Sequence, residues 1–128
     1  MTVLIYDNAR RALGTAQLDW SSQQMAAAIP VLNYQPILEL HTYVTIAQPF
    51  RSPVVSLNGQ AVHSAGWWQA DTISFPEAPI GSPMNCVVIY RQTDGMLVLA
   101  VTFPTITATK SVPVALLSSA GAIGLCRP

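Results

Sequence analysis

The chain has 128 residues and a formal charge of zero, six Lys plus Arg against six Asp plus Glu, with 51% hydrophobic residues and only 9% charged. That length suits one β-rich domain over residues 1–128, since domains run roughly 100 to 200 residues, and a surface so poor in charge lacks the usual means of staying dispersed, so much of it is expected to be covered by partners. Scattered positive residues argue against nucleic acid as the main ligand, and the longest apolar stretch, 112–125, falls short of the roughly 20 residues of a spanning helix and is broken by Pro113, Ser118, Ser119, Gly121 and Gly124.

Val3-Leu4-Ile5-Tyr6 is a run of strand formers leading into Asp7-Asn8, either of which suits a helix cap, then Ala9 to Leu13 with Gly14 as the stop. This opening lacks the basic start, apolar run and small-residue cleavage site of a secretory leader, so export by that route is not expected. Gln17-Leu18-Asp19-Trp20 reads as a second short strand and Ser21-Ser22 as a turn. Between Gln23 and Ile29 three alanines favour helix by propensity, but Pro30 forbids continuation and Val31-Leu32 resume the apolar run, so a strand is expected. Residues 33–53 hold Pro36, Pro49 and Pro53 and read as a long irregular loop, with a helical turn or two from Ile37 to His41.

Val54 to Leu57 runs into Asn58-Gly59, the dipeptide of tight hairpins, and Gln60 to His63 follows, which predicts a hairpin. Ala65-Gly66 turns again, Trp67 to Phe75 reads as a strand, and Pro76, Pro79, Gly81 and Pro83 make a long turn. Asn85 to Tyr90 and Met96 to Phe103, joined by Gln92-Thr93-Asp94-Gly95, predict the core hairpin, and their continuous apolar character implies burial of both faces. Residues 111–126 repeat strand, turn, strand, with Pro113 confining the first to an edge or its own start. The expected fold is all-β, a compact β-sandwich or jelly-roll-like barrel with one short N-terminal helix and a long Pro-rich loop.

Residues able to do chemistry are few. His41 and His63 sit in no catalytic or metal motif and read as structural histidines. Asp94 precedes Gly95 in a turn, where its side chain serves the local backbone, so an acid-base pair with Asp71 is not expected. Asp19, Asp71 and Glu77 lack the spacing of a calcium loop. Cys86 and Cys126 form neither a Cys-x-x-Cys pair nor a zinc pattern and read as buried thiols. No catalytic residue, metal or cofactor is expected. Trp67-Trp68 either anchors an interface or stacks on a sugar, or else divides between core and sheet edge. Arg10-Arg11 reads as the solvated face of the short helix, whereas Tyr34, Tyr43 and Phe50 in the Pro-rich loop suggest an interaction arm or a tucked Ω-loop.

The order of residues also resembles a family of small virion structural proteins of tailed double-stranded DNA bacteriophages, nearly end to end. The resemblance rests on Ile5-Tyr6 before a short helix, Leu18-Asp19-Trp20, Tyr34-x-Pro36 with His41, and Arg51 ahead of Leu57-Asn58-Gly59-Gln60-Ala61-Val62. It continues through Gly66, Ala70-Asp71-x-Ile73-x-Phe75, Gly81, and Val87-Val88-Ile89-Tyr90 leading by Thr93-x-Gly95 into Leu97-Val98-Leu99-Ala100. The Thr93 to Leu97 turn is shorter than the family pattern, and Ser118-Ser119-Ala120-Gly121 and Leu125 stand where an Asn-Gly turn and a tryptophan strand often close it.

The resemblance implies a non-enzymatic virion component, made in the host cytoplasm and placed on the capsid surface as a decoration or cement protein. Its partners would be the major capsid protein and copies of itself, with no nucleic acid and no membrane. Candidate interface residues are Val3, Ile5, Tyr34, Tyr43, Phe50, Trp67 and Trp68. A tail-associated or head-to-tail role is the alternative, followed by a glycan-binding module using Trp67 or Trp68.

Overall fold

The computed structural model describes residues 2–62, 68–71, 73–75 and 83–107, with the backbone of 114–116 and 122–123. Among these the chain is mostly β-strand with one short helix, every strand pairing is antiparallel, and no sheet closes into a barrel. The elements are β1 (Thr2–Ile5), α1 (Asp7–Gly14), β2 (Met25–Ala28), a 3-10 turn (Val44–Ala47), β3 (Val55–Ser56), β4 (Ala61–Val62), β5 (Trp68–Gln69), β6 (Ile73–Phe75), β7 (Pro83–Arg91), β8 (Leu97–Thr107), β9 (Val114–Leu116) and β10 (Ala122–Ile123). Five strands form one sheet in the order β1-β8-β7-β2-β3, three form a second, β10-β5-β4, and β6 pairs with β9.

The predicted core hairpin is present as β7 and β8, with Val87 opposite Val101, Val88 opposite Ala100 and Ile89 opposite Leu99. All these side chains are buried, as the unbroken apolar run requires of strands covered on both faces. Its turn is shaped by Asp94, whose carboxylate accepts the Met96 N–H at 3.1 Å, and by Gly95 at a φ of +77°, a conformation that favours glycine. β2 lies on the other side of β7, Ala27 opposite Ile89, and its Met-Ala-Ala-Ala run is fully buried. Strand geometry therefore overrides the helix propensity of its alanines.

Helix α1 buries Ala9 and Ala12 and packs on β8, while Arg10 and Arg11 are exposed. Neither Asp7 nor Asn8 caps it. The cap position is the extended Tyr6, which makes no side-chain cap bond, and Asp7 instead places its carboxylate in the first turn, where the helix dipole favours it. Gly14 ends the helix, but the left-handed residue beyond it is Ala16, at a φ of 58°.

Several expected pairings differ. Residues 17–20 form no strand, because the Gln17 and Leu18 N–H groups fold back onto the Ala12 carbonyl and the Asp19 carboxylate binds Ser21 and Ser22. Asn58-Gly59 does turn the chain, with Gly59 at a φ of +66°, but β3 and β4 do not pair with each other. The Asn58 carbonyl accepts the Asp71 N–H at 2.8 Å and β3 pairs with β2, so the turn passes the chain from one sheet to the next. The expected strand over 67–75 divides into β5 and β6, which belong to different sheets. The expected final strand-turn-strand likewise divides, β9 joining β6 and β10 joining β5.

Candidate functional site

The Pro-rich segment is a loop held to the sheet by its own backbone. Val44 N–H bonds the Gly95 carbonyl at 2.8 Å, Leu97 N–H bonds Thr42 at 2.9 Å, and the Leu38 carbonyl accepts the Asp7 N–H at 3.0 Å. Internally, Val31 N–H reaches Ala47 at 2.8 Å and Arg51 N–H reaches Ile29 at 3.0 Å, while Val44 and Ala47 are buried. The loop is thus tucked, as an Ω-loop is. The expected helical turn at 37–41 is a single reversal, with the Leu40 and His41 N–H groups on the Ile37 carbonyl, and the 3-10 turn follows it.

To solvent this loop shows large apolar residues interspersed with polar ones such as Asn33, Gln35, Glu39 and Gln48. Leu32, Ile37, Leu40, Tyr43, Ile46 and Val54 account for six of the eight large apolar residues exposed among the described ones, Leu40 most of all at 70%. Six large exposed apolar residues on one segment make it the candidate interaction surface.

The aromatic candidates are placed differently. Tyr43 is half exposed. Tyr34 and Phe50 pack against the core, Phe50 stacked on Tyr90 with ring centroids 6.1 Å apart. Val3 and Ile5 are half-buried on the edge strand β1. Trp68 is a correction: its ring is buried and stacks on Trp20 at 4.8 Å, and the Trp20 indole N–H donates to the Gln69 carbonyl at 2.8 Å. It is therefore a core residue that offers no free face to a sugar or a partner. Trp67, His63, Glu77 and Cys126 lie outside the described residues.

Beneath the loop the Tyr6 and Tyr34 hydroxyls meet at 2.6 Å, and Tyr34 meets His41 Nδ1 at 2.9 Å. The Ile37 backbone N–H also points at Nδ1, at 3.2 Å. A backbone N–H can only donate, so Nδ1 carries the lone pair, the ring proton is on Nε2, and the chain runs Tyr6 to Tyr34 to His41. Burial and this hydrogen bonding push the Tyr6 phenol far above its ordinary range, and burial raises Tyr34 as well. Cys86, buried nearby, has its thiol pushed up to about 12 by desolvation, so it stays protonated and unreactive.

Tyr34 and Cys86 share with Arg51, Asn33 and Asn85 a cavity of about 260 Å³. Arg51 Nη1 donates to the Pro83 carbonyl at 2.8 Å, whereas its buried Nη2 has no acceptor among the described residues. Elsewhere Arg91 grips Asp94 with two bonds, at 3.0 and 2.7 Å, and holds its carboxyl below the usual carboxylate range. Asp94 thus serves its turn and an ion pair. No group of three or more metal-ligating side chains occurs among the described residues, and no described helix is long and apolar enough to cross a membrane.

Sequence reasoning passed over Gln60, which organises the crossing between sheets. Its amide nitrogen donates to the Trp20 and Gln23 carbonyls at 2.6 and 2.8 Å, and its oxygen accepts the N–H of buried Met25 at 3.0 Å. The position next to Asn58-Gly59 was the only sequence signal it carried. Comparison with models of known protein families, with curated proteins and with solved structures finds no match to this chain.

Proposed function

We propose that the chain is a structural protein of a tailed bacteriophage virion, decorating the outside of the capsid lattice and stabilising the mature head. The observation that carries this reading is the set of exposed aliphatic residues on the braced 32–54 segment, foremost Leu40, Ile46 and Leu32. Permanent assembly partners bury apolar area of this kind, and a surface with few charges suits shallow contacts with a lattice. The sequence resemblance to small virion proteins supplies the setting. In this reading the five-stranded sheet and the smaller sheets are the two layers of a sandwich, and the major capsid protein contacts the loop.

The test is binding of the purified protein to mature, expanded heads, together with its copy number relative to the major capsid protein in virions. Binding that raises the temperature of DNA loss, at one copy per capsid subunit or a simple fraction of it, is the expected result. Leu40→Asp combined with Ile46→Asp should abolish binding without unfolding the protein. Absence of binding to heads would overturn the reading, and about three to twelve copies per particle would move the protein to the tail or portal vertex.

A further inference from the structure

The two edges of the five-stranded sheet are built differently. β3 is two residues long and follows Pro53, and short strands and prolines are the usual means of keeping an edge from pairing with other chains. β1 has four residues, Thr-Val-Leu-Ile, with no charge, no proline and an unbroken register against β8. Past Thr102 the same side of the sheet is interrupted, because β8 carries Pro104 and shifts register against β7 between Met84 and Cys86. The regular open edge on that side is therefore β1 alone.

The direction of its hydrogen-bonding groups follows from one bond. Tyr6 N–H donates to the Val98 carbonyl at 3.1 Å, so in this antiparallel ladder Tyr6, Leu4 and Thr2 turn their backbone groups toward β8. Val3 and Ile5, opposite Val101 and Leu99, are then the non-hydrogen-bonded pairs, and their N–H and C=O groups point away from the sheet. Among the described residues nothing receives them.

We propose that β1 pairs antiparallel with β1 of a second copy across a two-fold axis, Val3 opposite the partner's Ile5 and Leu4 opposite the partner's Leu4. The inference takes from the decoration reading only the expectation that copies of the chain associate. The choice of a second copy rests on self-complementarity. Two-fold pairing sets each edge against itself, so any charged side chain there would meet its own kind, and β1 has none. In this register both outward residues of each strand form hydrogen-bonded pairs, about four bonds in all, and the two sheets become one continuous sheet. Val3 and Ile5 fall on one face, where each side chain lies beside the other's branched counterpart.

The experiment uses sedimentation equilibrium on the full chain. Wild type should be a dimer, and Val3→Pro should weaken it by about tenfold or more, since the substitution removes an outward N–H from each copy. Its melting temperature should stay close to wild type, because that N–H belongs to no ladder within the chain. Leu4→Cys, made with Cys126→Ser, should give a disulfide-linked dimer on mild oxidation, as Cα atoms in a non-hydrogen-bonded pair stand about 4.5 Å apart. Val3→Cys in the same background should not cross-link, being two residues out of register with its own copy. A monomeric wild type, a dimer indifferent to Val3→Pro, or cross-linking through Val3→Cys in place of Leu4→Cys would overturn the proposal. A dimer that fails to bind heads supports this inference and removes only the decoration reading.

Discussion

At the scale of single residues, the hydroxyl of Tyr6 is the group with the fewest alternatives. Tyr6 is fully buried and its proton goes to Tyr34, whose own proton goes to His41 Nδ1. Tyr34→Phe removes the acceptor and strands a buried donor, so it should destabilise the protein by about 1–3 kcal/mol. Tyr6→Phe in addition removes the stranded group, and the double variant should recover most of that loss. Urea unfolding of the two single variants and the double variant checks this non-additivity. The chain linking these residues was invisible in the sequence, because Tyr6 and Tyr34 are 28 positions apart and no local pattern pairs them. The same holds for Phe50 with Tyr90 and Trp20 with Trp68. Tyr34 and Phe50 found distant core partners, which leaves Tyr43 as the exposed aromatic of the loop.

At the scale of elements, the legible parts were those whose signal is local and redundant. The β7–β8 hairpin combined two apolar runs with an Asp-Gly turn, β2 was bounded by Pro30, and α1 stopped at Gly14. Asn58-Gly59 shows the limit of such signals: turn chemistry fixes where the chain reverses and leaves open which strands its arms will join. Here β2 pairs with β3, the Gln24 side-chain amide donates to the Leu57 carbonyl, and the Asp71 N–H donates to the Asn58 carbonyl, so the positions a hairpin partner would take are filled. Gly59 itself is doubly constrained, since a Cβ there would collide with the Asp71 carboxylate and its φ of +66° is strained for other residues. Gly59→Ala should therefore lower stability by at least about 1 kcal/mol. Amide hydrogen exchange should show the loss of protection centred on β3, β4 and the Asp71 N–H, with the β7–β8 hairpin least affected.

At the scale of the whole molecule, burial of weak acids sets a limit on the alkaline side. Cys86, Tyr6, Tyr34 and Tyr90 are all held protonated above their ordinary values, chiefly by desolvation. The unfolded chain releases these protons first, so their contribution is complete below the ordinary thiol range and declines as pH rises. Cys86 enters first, between roughly pH 9 and its folded value of about 12, at about 1.4 kcal/mol per pH unit for one proton. The tyrosines steepen the decline above about pH 10. Cys86→Ala should flatten the dependence between pH 8.5 and about 10, whatever its effect on stability at neutral pH. Urea midpoints collected across that interval read the slope directly.

Under the proposed decoration role, the bonds that stitch residues 38–44 to α1 and to the β7–β8 turn govern how the loop would meet the capsid lattice. The loop backbone is already fixed, so docking immobilises only the tips of a few aliphatic side chains and no disordered segment has to fold on contact. Association is then a matter of rigid-body orientation, with little ordering entropy to overcome. A rigid scaffold also separates foldability from recognition: the outward aliphatic positions can be exchanged while the inward anchors Val44 and Ala47 keep the loop in place, so new binding preferences can arise on an unchanged frame.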